Sequence, residues 1–335
     1  MSDPEVVFHR FFQSEALSYT NRARYRGKQD LGALVQPELR SALADIQVAL
    51  NEALRNEKQG VREHVAHPPF HFDYVQSRVP NALAFQFEGF SFIGITMELV
   101  YMLWDAGYRL SQSEALAAVL GVSLTQDSSE RTHVLLLGTE LAFVVAHEYT
   151  HHVHGHVGEF RSEFLDEPYI GNLDRQAHEV DADCYAVYHV LADLIDGNRR
   201  SHALKLLNLE DREKNFQDQF LFSSVIVAIG AFLYALRPAV VDNATVYRLS
   251  HPPQAARLNF IMHSAINWCS QNEPALVGYM NLERFQAILA AVELVAREMN
   301  GGFDWSGQTG FLGSPDGANY IGKLDRSLKT HIQSL

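Results

Sequence analysis

The chain has 335 residues, of which 47% are hydrophobic, so it is long enough to bury a sizeable core. Its net charge of −13 argues against nucleic acid and anionic membrane surfaces as partners, because both select basic patches. Two cysteines, Cys184 and Cys269, do not make a disulfide framework and predict a reducing compartment, most simply the cytoplasm.

The first 75 residues predict a helical N-terminal region. The chain begins without a basic stretch followed by an apolar one, so we expect no secretory signal. Residues 5–20 and 37–58 have the pattern of amphipathic helices, the second with apolar side chains at helical spacing from Leu39 to Leu54 and a stop at Gly60. The basic run 21–28 is expected to be a solvated loop, and a contact for an acidic partner is the less favoured interpretation.

Residues 81–96 predict a pair of strands, because aromatic and β-branched side chains dominate and Glu88-Gly89 has the composition of a turn. Helices are expected from Thr96 onward and over 111–120, the second capped by Ser111 or Ser113. Residues 127–130 have the composition of a cap for a third, longer helix.

That third helix ends in His147-Glu148-Tyr149-Thr150-His151. Helical residues four apart share a face, so His147 and His151 point the same way and can grip one metal ion. Glu148 projects from a neighbouring position, where it can reach a water on the metal. This is the H-E-x-x-H pattern of zinc hydrolases, with two ligands and a general base. The competing interpretation is a helix with surface histidines.

Other ionisable residues crowd the same helix. His152, His154 and His156 follow the motif and could bind adventitious metal. Glu140 lies seven residues before His147 on the same face, about 10 Å back along the helix. We expect Glu140 to be a buried, hydrogen-bonded group.

A catalytic zinc site uses three protein ligands and keeps one position open. A histidine six residues after His151 is excluded, because residue 157 is Val and residue 154 is His where that pattern has Gly. The other source is a carboxylate on a following helix, and residues 176–191 have the necessary apolar spacing. Glu179 is then the third ligand, and Asp183 accepts a hydrogen bond from a ligating histidine. The reverse assignment, with Asp183 as ligand and Glu179 behind it, stays open.

Three features follow downstream. Residues 219–236 carry no charge and lie at the lower edge of a membrane span, roughly 17–25 residues; as a single segment without a basic flank they favour a buried core helix and no span. His251-Pro252-Pro253 precedes a helix whose Arg257 is expected to pair with an acidic group. A last helix is predicted over 282–299, followed by an irregular tail.

Several of these segments together resemble the gluzincin peptidases that include HtpX and the CAAX prenyl endopeptidases. Residues 147–156 are similar to that family's H-E-x-x-H followed by a Gly-His pair, and Glu179-Val-Asp-Ala-Asp183 to its E-x-E-A-D helix with Asp in place of the middle Glu. Ser250-His251-Pro252-Pro253, followed by Arg257, is similar to its S-H-P-P-x-x-x-R segment. A looser similarity joins residues 81–84 and 89–96 to the strand pair before its motif helix. The resemblance spans roughly residues 80–260.

The resemblance implies a mainly helical α+β fold: a zincin-like metallopeptidase domain with a small β-sheet over 76–300. The helical region 1–75 would pack on this core, and 301–335 would form an irregular C-terminal tail. In that family a peptide substrate adds as an extra strand to the sheet edge nearest the metal.

The implied function is zinc-dependent endopeptidase activity on a protein or peptide substrate. Zn²⁺ would be held by His147, His151 and Glu179, with Glu148 as general base. His251 would either donate to the oxyanion or take the open metal position and hold the enzyme latent. The alternative function is a latent or inactive metallopeptidase-like module that binds peptides or a partner, as in a toxin or stress-response element.

Overall fold

The computed structural model describes residues 3–15, 17, 19–56, 68–123, 125–156, 172–236, 241–299 and 305–334. Within these residues the protein is mainly helical with one small mixed sheet, which confirms the α+β prediction. The chain divides into two compact units. The first comprises Met1–Met102, His147–Ile170 and Gln333–Leu335, and the second Leu103–Ala146 and Gly171–Ile332.

The helices and strands are, in chain order, α1 (Pro4–Gln13), α2 (Tyr19–Arg24), β1 (Tyr25–Lys28), α3 (Pro37–Asn56), β2 (Phe70–Ser77), β3 (Ala82–Phe87), β4 (Phe90–Thr96), α4 (Met97–Ser111), α5 (Glu114–Leu120), α6 (Gln126–Val153), α7 (Leu173–Leu191), α8 (Arg199–Leu206), α9 (Lys214–Ala235), α10 (Gln254–Asn272), α11 (Pro274–Tyr279), α12 (Leu282–Met299), α13 (Ser306–Leu312) and α14 (Pro315–Ser334).

The sheet belongs to the first unit and has the strand order β1-β2-β4-β3. β2 and β4 are parallel, and the two outer pairs are antiparallel. The predicted strand pair is the β3–β4 hairpin, where Glu88 and Gly89 have φ of 45° and 82°. Two successive residues with positive φ are typical of a two-residue hairpin turn whose twist matches the strands.

Two elements of the N-terminal region differ from their predictions. The basic run 21–28 ends α2 and forms β1, where Lys28 Nζ lies 3.0 Å from the buried Asp73 Oδ2. The helix predicted over 5–20 is instead α1 and α2, because the backbone N–H and hydroxyl of Ser14 both bond to the Phe11 carbonyl and end α1. The domain boundary predicted at residue 75 falls within β2.

Aromatic side chains fill the core between α1 and the sheet. Phe11 stacks on Phe85 with ring centroids 4.0 Å apart, and Phe8 meets Phe92 edge to face at 5.5 Å. α3 begins at the predicted residue, and the predicted stop at Gly60 lies outside the described residues. Its Asn51 side chain both donates to and accepts from the backbone of Phe72, at 2.9 Å each, and so fastens α3 to β2.

The long motif helix α6 is capped two residues earlier than predicted. Thr125 and Ser128 exchange hydrogen bonds, since each backbone N–H donates to the other's hydroxyl, at 2.9 and 3.1 Å. This reciprocal arrangement is a capping box, and it replaces the cap expected from residues 127–130. The helix before it has the predicted cap, with Ser113 Oγ accepting from Leu116 N.

α9 contains residues 219–235 of the uncharged segment, and Leu236 is its C-cap. By length and composition it is the one helix in the described residues that could cross a membrane, but 94% of its most apolar window is buried inside the protein. That burial is expected of a central helix in the second unit's core.

The prediction of an irregular tail over 301–335 is wrong for residues 305–334, which form α13 and α14. α14 is amphipathic: Tyr320, Leu324 and Leu328 recur every four residues and are buried. They pack with Ala177 and Val180 of α7 in one apolar cluster. The glycines and serines of this segment suggested a loop, but packing of one apolar face decides the helix.

Candidate active site

α6 carries the motif residues on its C-terminal turns. The run from Leu135 to Ala146 is apolar apart from Gly138, Thr139 and Glu140, and the helix it forms continues through His147, Glu148 and His151. All three motif side chains are buried, and they belong to the first unit. The Nε2 atoms of His147 and His151 lie 3.1 Å apart, so the two imidazoles converge as the four-residue spacing predicts.

This convergence fits a metal ligand pair. Two nitrogens bound tetrahedrally to zinc at about 2.0–2.1 Å would lie about 3.3–3.4 Å apart, close to the separation seen here. His151 also has its other ring nitrogen engaged, because its Nδ1 lies 3.0 Å from Nδ1 of His156. A contact of this kind fixes the tautomer and orientation of a ligating histidine. His156 therefore contacts a motif histidine directly, whereas the sequence predicted only that it could bind adventitious metal.

The sheet anchors the end of the motif helix. His152 Nε2 donates to the carbonyl of Phe92 in β4 at 3.0 Å, and Phe70 of β2 packs on the rings of Tyr149 and His152. These contacts turn His152 toward the sheet. They also hold the turn that carries His151 by a rigid element of the same unit.

Glu179 and Asp183 lie on α7, in the second unit, and both are buried. Glu179 Oε2 is 3.3 Å from Nε2 of His251, whose side chain is 48% exposed. His251 lies three residues before α10, and Ser250 Oγ is 2.9 Å from its Nδ1. The predicted third ligand and the predicted oxyanion donor are thus neighbours.

Asp183 forms a buried bidentate ion pair with Arg257. Its two carboxylate oxygens accept from Nε and Nη2 of the guanidinium, at 2.7 Å each. Arg257 has the acidic partner that the sequence analysis expected, and the pair ties α7 to the first turns of α10. The fork engages both Asp183 oxygens, as is usual for a bidentate arginine–carboxylate pair.

The family model for peptidase U49 matches residues 104–272, half of the chain. The chain belongs to the peptidase U49 family. The matched segment contains every candidate residue named from the sequence: His147, Glu148, His151, Glu179, Asp183, His251 and Arg257. Neither a curated protein nor a solved structure matches the chain.

U49 membership supports a protease, in agreement with the predicted class of enzyme. It does so at the level of a peptidase family and is not specific to the HtpX and CAAX peptidases. The U49 segment begins after the sheet and ends before α11, so the sheet, α1–α3 and α14 lie outside it.

Glu140 differs from its prediction. This residue of the U49 segment is fully buried, and among the described residues neither of its carboxyl oxygens has a hydrogen-bond partner. Burial without a compensating charge raises the pKa of Glu140 well above its ordinary value of 4.5. The motif helix therefore buries an acid that is most stable in its neutral form.

Sequence reasoning missed two polar residues in the second unit, Gln176 and Tyr320. Gln176 is fully buried one turn before Glu179 on α7, and Tyr320 donates to its side-chain oxygen at 2.7 Å. The signal that could have identified Gln176 is its position in an apolar stripe, three residues before a candidate ligand. Tyr320 could not be identified in the same way, because the segment that forms α14 was predicted to be irregular.

Proposed function

We propose that this U49 peptidase is a zinc-dependent endopeptidase of the gluzincin type, similar to HtpX and the CAAX prenyl endopeptidases. The observation that carries the proposal is the pair of buried imidazoles on α6, with Nε2 atoms 3.1 Å apart and Glu148 beside them. Family membership supports the peptidase part of the proposal, and the donor chemistry of the helix supports the metal.

In this proposal His147, His151 and Glu179 hold the metal. Two neutral imidazoles and one carboxylate leave one position for water or substrate, which is the composition of catalytic zinc sites. Zinc, when bound, would polarise the scissile carbonyl and lower the pKa of the attacking water. His156 holds the His151 ring through its Nδ1, and the Arg257–Asp183 pair holds α7 one turn beyond Glu179.

The chain's own groups handle the protons. Glu148 accepts a proton from the attacking water and delivers it to the leaving amine nitrogen. Its side chain is buried beside the two imidazoles, within reach of a water held there. His251 is half exposed and can meet a substrate, and it donates to the oxyanion that develops on the scissile carbonyl. An extended protein or peptide substrate would pair with an edge of the small sheet.

One contact favours the alternative of a latent peptidase or peptide-binding module. His251 Nε2 lies 3.3 Å from Glu179 Oε2, so the two proposed groups engage each other. A His251 that stays on Glu179, or takes the open metal position, would hold the enzyme silent until a partner or substrate moves it.

The test compares wild type with Glu148→Gln, with Glu130→Gln as the matched control. Glu130 is an exposed residue of the same helix, so the control makes the same chemical change away from the motif. We expect one zinc per chain in all three proteins, and cleavage of a denatured protein by wild type and the control alone. The loss in Glu148→Gln should be at least about 10²–10⁴-fold.

Absence of zinc from all three proteins would refute the proposal. Zinc in all three with no cleavage by any would favour the latent alternative. In that case His251→Ala should release activity.

A further inference from the structure

The loop that carries His251 is organised by its own polar groups. Asp242 Oδ1 accepts from the backbone N–H groups of Ala244 and Thr245 and from the Thr245 hydroxyl, at 2.8–2.9 Å. These hydrogen bonds lower the pKa of Asp242. A short 3₁₀ turn, Val246–Arg248, follows. Val246 of this turn is fully buried, and a buried backbone carbonyl requires a hydrogen-bond donor.

Gln176 supplies such a donor from α7. Its side-chain Nε2 donates to the carbonyls of Val246 and Leu249, at 2.8 Å each. Leu249 is two residues before His251, and Gln176 is one helical turn before Glu179. α7 therefore holds this loop at two points on one face: Gln176 contacts the backbone and Glu179 contacts the His251 ring.

Tyr320 of α14 sets the orientation of the Gln176 amide. The two carbonyls can only accept, so the NH₂ group must face them and the amide oxygen must face Tyr320. The Tyr320 hydroxyl donates to that oxygen at 2.7 Å. Burial raises the pKa of Tyr320, so the hydroxyl keeps its proton. The Tyr320 ring also packs edge to face on Tyr247 of the same loop, with centroids 5.6 Å apart.

We propose that Gln176 and Tyr320 are positioning residues that hold the His251 loop. Through Tyr320, the C-terminal helix α14 then contributes to the active site. The helix lies outside the segment matched to the U49 family. The role given to His251 rests on the proposed function, whereas the anchoring of the loop does not.

The first experiment measures amide hydrogen exchange over residues 244–251 in the full chain. Tyr320→Phe removes one hydroxyl and keeps the ring, and Gln176→Met removes both loop donors. The matched control is Ser327→Ala, which removes another hydroxyl bond between α14 and α7, from Ser327 Oγ to Asp174 Oδ1 at 2.6 Å. We expect roughly tenfold faster exchange in Tyr320→Phe, a larger increase in Gln176→Met and none in the control.

Equal loop exchange in Tyr320→Phe, Ser327→Ala and wild type would overturn the proposal. This readout needs no catalysis. If wild type cleaved nothing, the proposed function would fail, and the exchange data would still decide whether α14 anchors the loop.

The second experiment is a double-mutant cycle on peptidase activity. If Tyr320 acts through His251, Tyr320→Phe should lower kcat roughly tenfold with KM little changed, and should have no further effect in a His251→Ala background. An equal reduction in both backgrounds would show that Tyr320 acts through general stability, and would overturn its assignment as a positioning residue.

Discussion

The motif helix and the His251 loop place their histidines by different means. On α6 the side chains of His147 and His151 converge because the helix repeats every 3.6 residues, and the apolar run before them makes the helix. In the loop, His251 meets Glu179 because the Gln176 side chain of α7 binds the loop backbone and Tyr320 of α14 in turn binds the Gln176 amide. The first arrangement is local in sequence, whereas the second joins residues 70 or more positions apart.

This difference predicts different weaknesses. Substitutions around the motif should change metal affinity and leave the backbone in place, because intrahelical hydrogen bonds do not depend on the histidines. Substitutions around the loop should change its mobility and the stability of the second unit, because the loop depends on tertiary contacts.

The largest expected effect on stability is at the Arg257–Asp183 pair that joins α7 to α10. Arg257→Ala removes the guanidinium that forms a bidentate pair with the buried Asp183 carboxylate, which should cost about 3–5 kcal/mol of unfolding free energy. The control is Arg297→Ala, which breaks an exposed pair with Glu293 worth about 0.3–0.5 kcal/mol. Urea denaturation measures both. A loss below about 1 kcal/mol in Arg257→Ala would show that the pair does not hold the two helices.

The comparison also explains what the sequence could predict. Periodicity predicted α3 and α7, and an apolar run predicted α6. The H-E-x-x-H spacing predicted the convergence of His147 and His151 without any tertiary information. The β3–β4 hairpin also followed from local patterns, whereas the α+β class was implied by the family resemblance.

Long-range contacts account for what the sequence did not predict. β1 is a strand because it pairs with β2, and α14 is a helix because Tyr320, Leu324 and Leu328 find an apolar cluster on α7. The sequence does not predict Gln176 as a loop anchor, because its contacts with the Val246 and Leu249 carbonyls arise only in the folded protein. Local composition in these regions favours loops, and tertiary packing overrides it.

The next effect concerns catalysis at the loop. Loss of an oxyanion donor in His251→Ala should lower kcat about 10²–10³-fold while zinc content stays at one per chain. His263→Ala, which changes an exposed histidine on α10, is the matched control and should leave kcat unchanged. Steady-state kinetics on a denatured protein substrate provides the measurement. A rise in activity would instead identify His251 as the group that keeps the enzyme latent.

On the helix side, His156→Ala tests the contact behind His151. Loss of the Nδ1 contact should weaken zinc affinity about 10–100-fold and leave the thermal unfolding of the metal-free protein unchanged, because His156 follows the last residue of α6. Competition with a chromophoric chelator gives the affinity. His202→Ala, an exposed histidine of α8, should behave as wild type. Equal affinities in both variants would remove His156 from the site.

The smallest expected effect is the loss of folding stability caused by ionisation of the buried Glu140 on the motif helix. Its folded-state pKa is raised well above 4.5 by burial, so its contribution to stability is fully present at pH values below 4.5 and is lost as the pH rises toward the folded-state value. Glu140→Gln keeps the shape and cannot ionise. The variant should match wild type near pH 4 and exceed it increasingly at higher pH.

At pH 8 we expect Glu140→Gln to raise Tm by at least about 2–4 °C, which corresponds to about 1 kcal/mol in a domain larger than 150 residues. Thermal unfolding from pH 4 to 9 measures the difference, and Glu130→Gln on the exposed part of α6 should show none. A variant less stable than wild type at pH 8 would mean that the Glu140 carboxylate is stabilised in the folded protein. Glu140 would then be a candidate for a role in the chemistry of the motif helix, and not only a group that destabilises it.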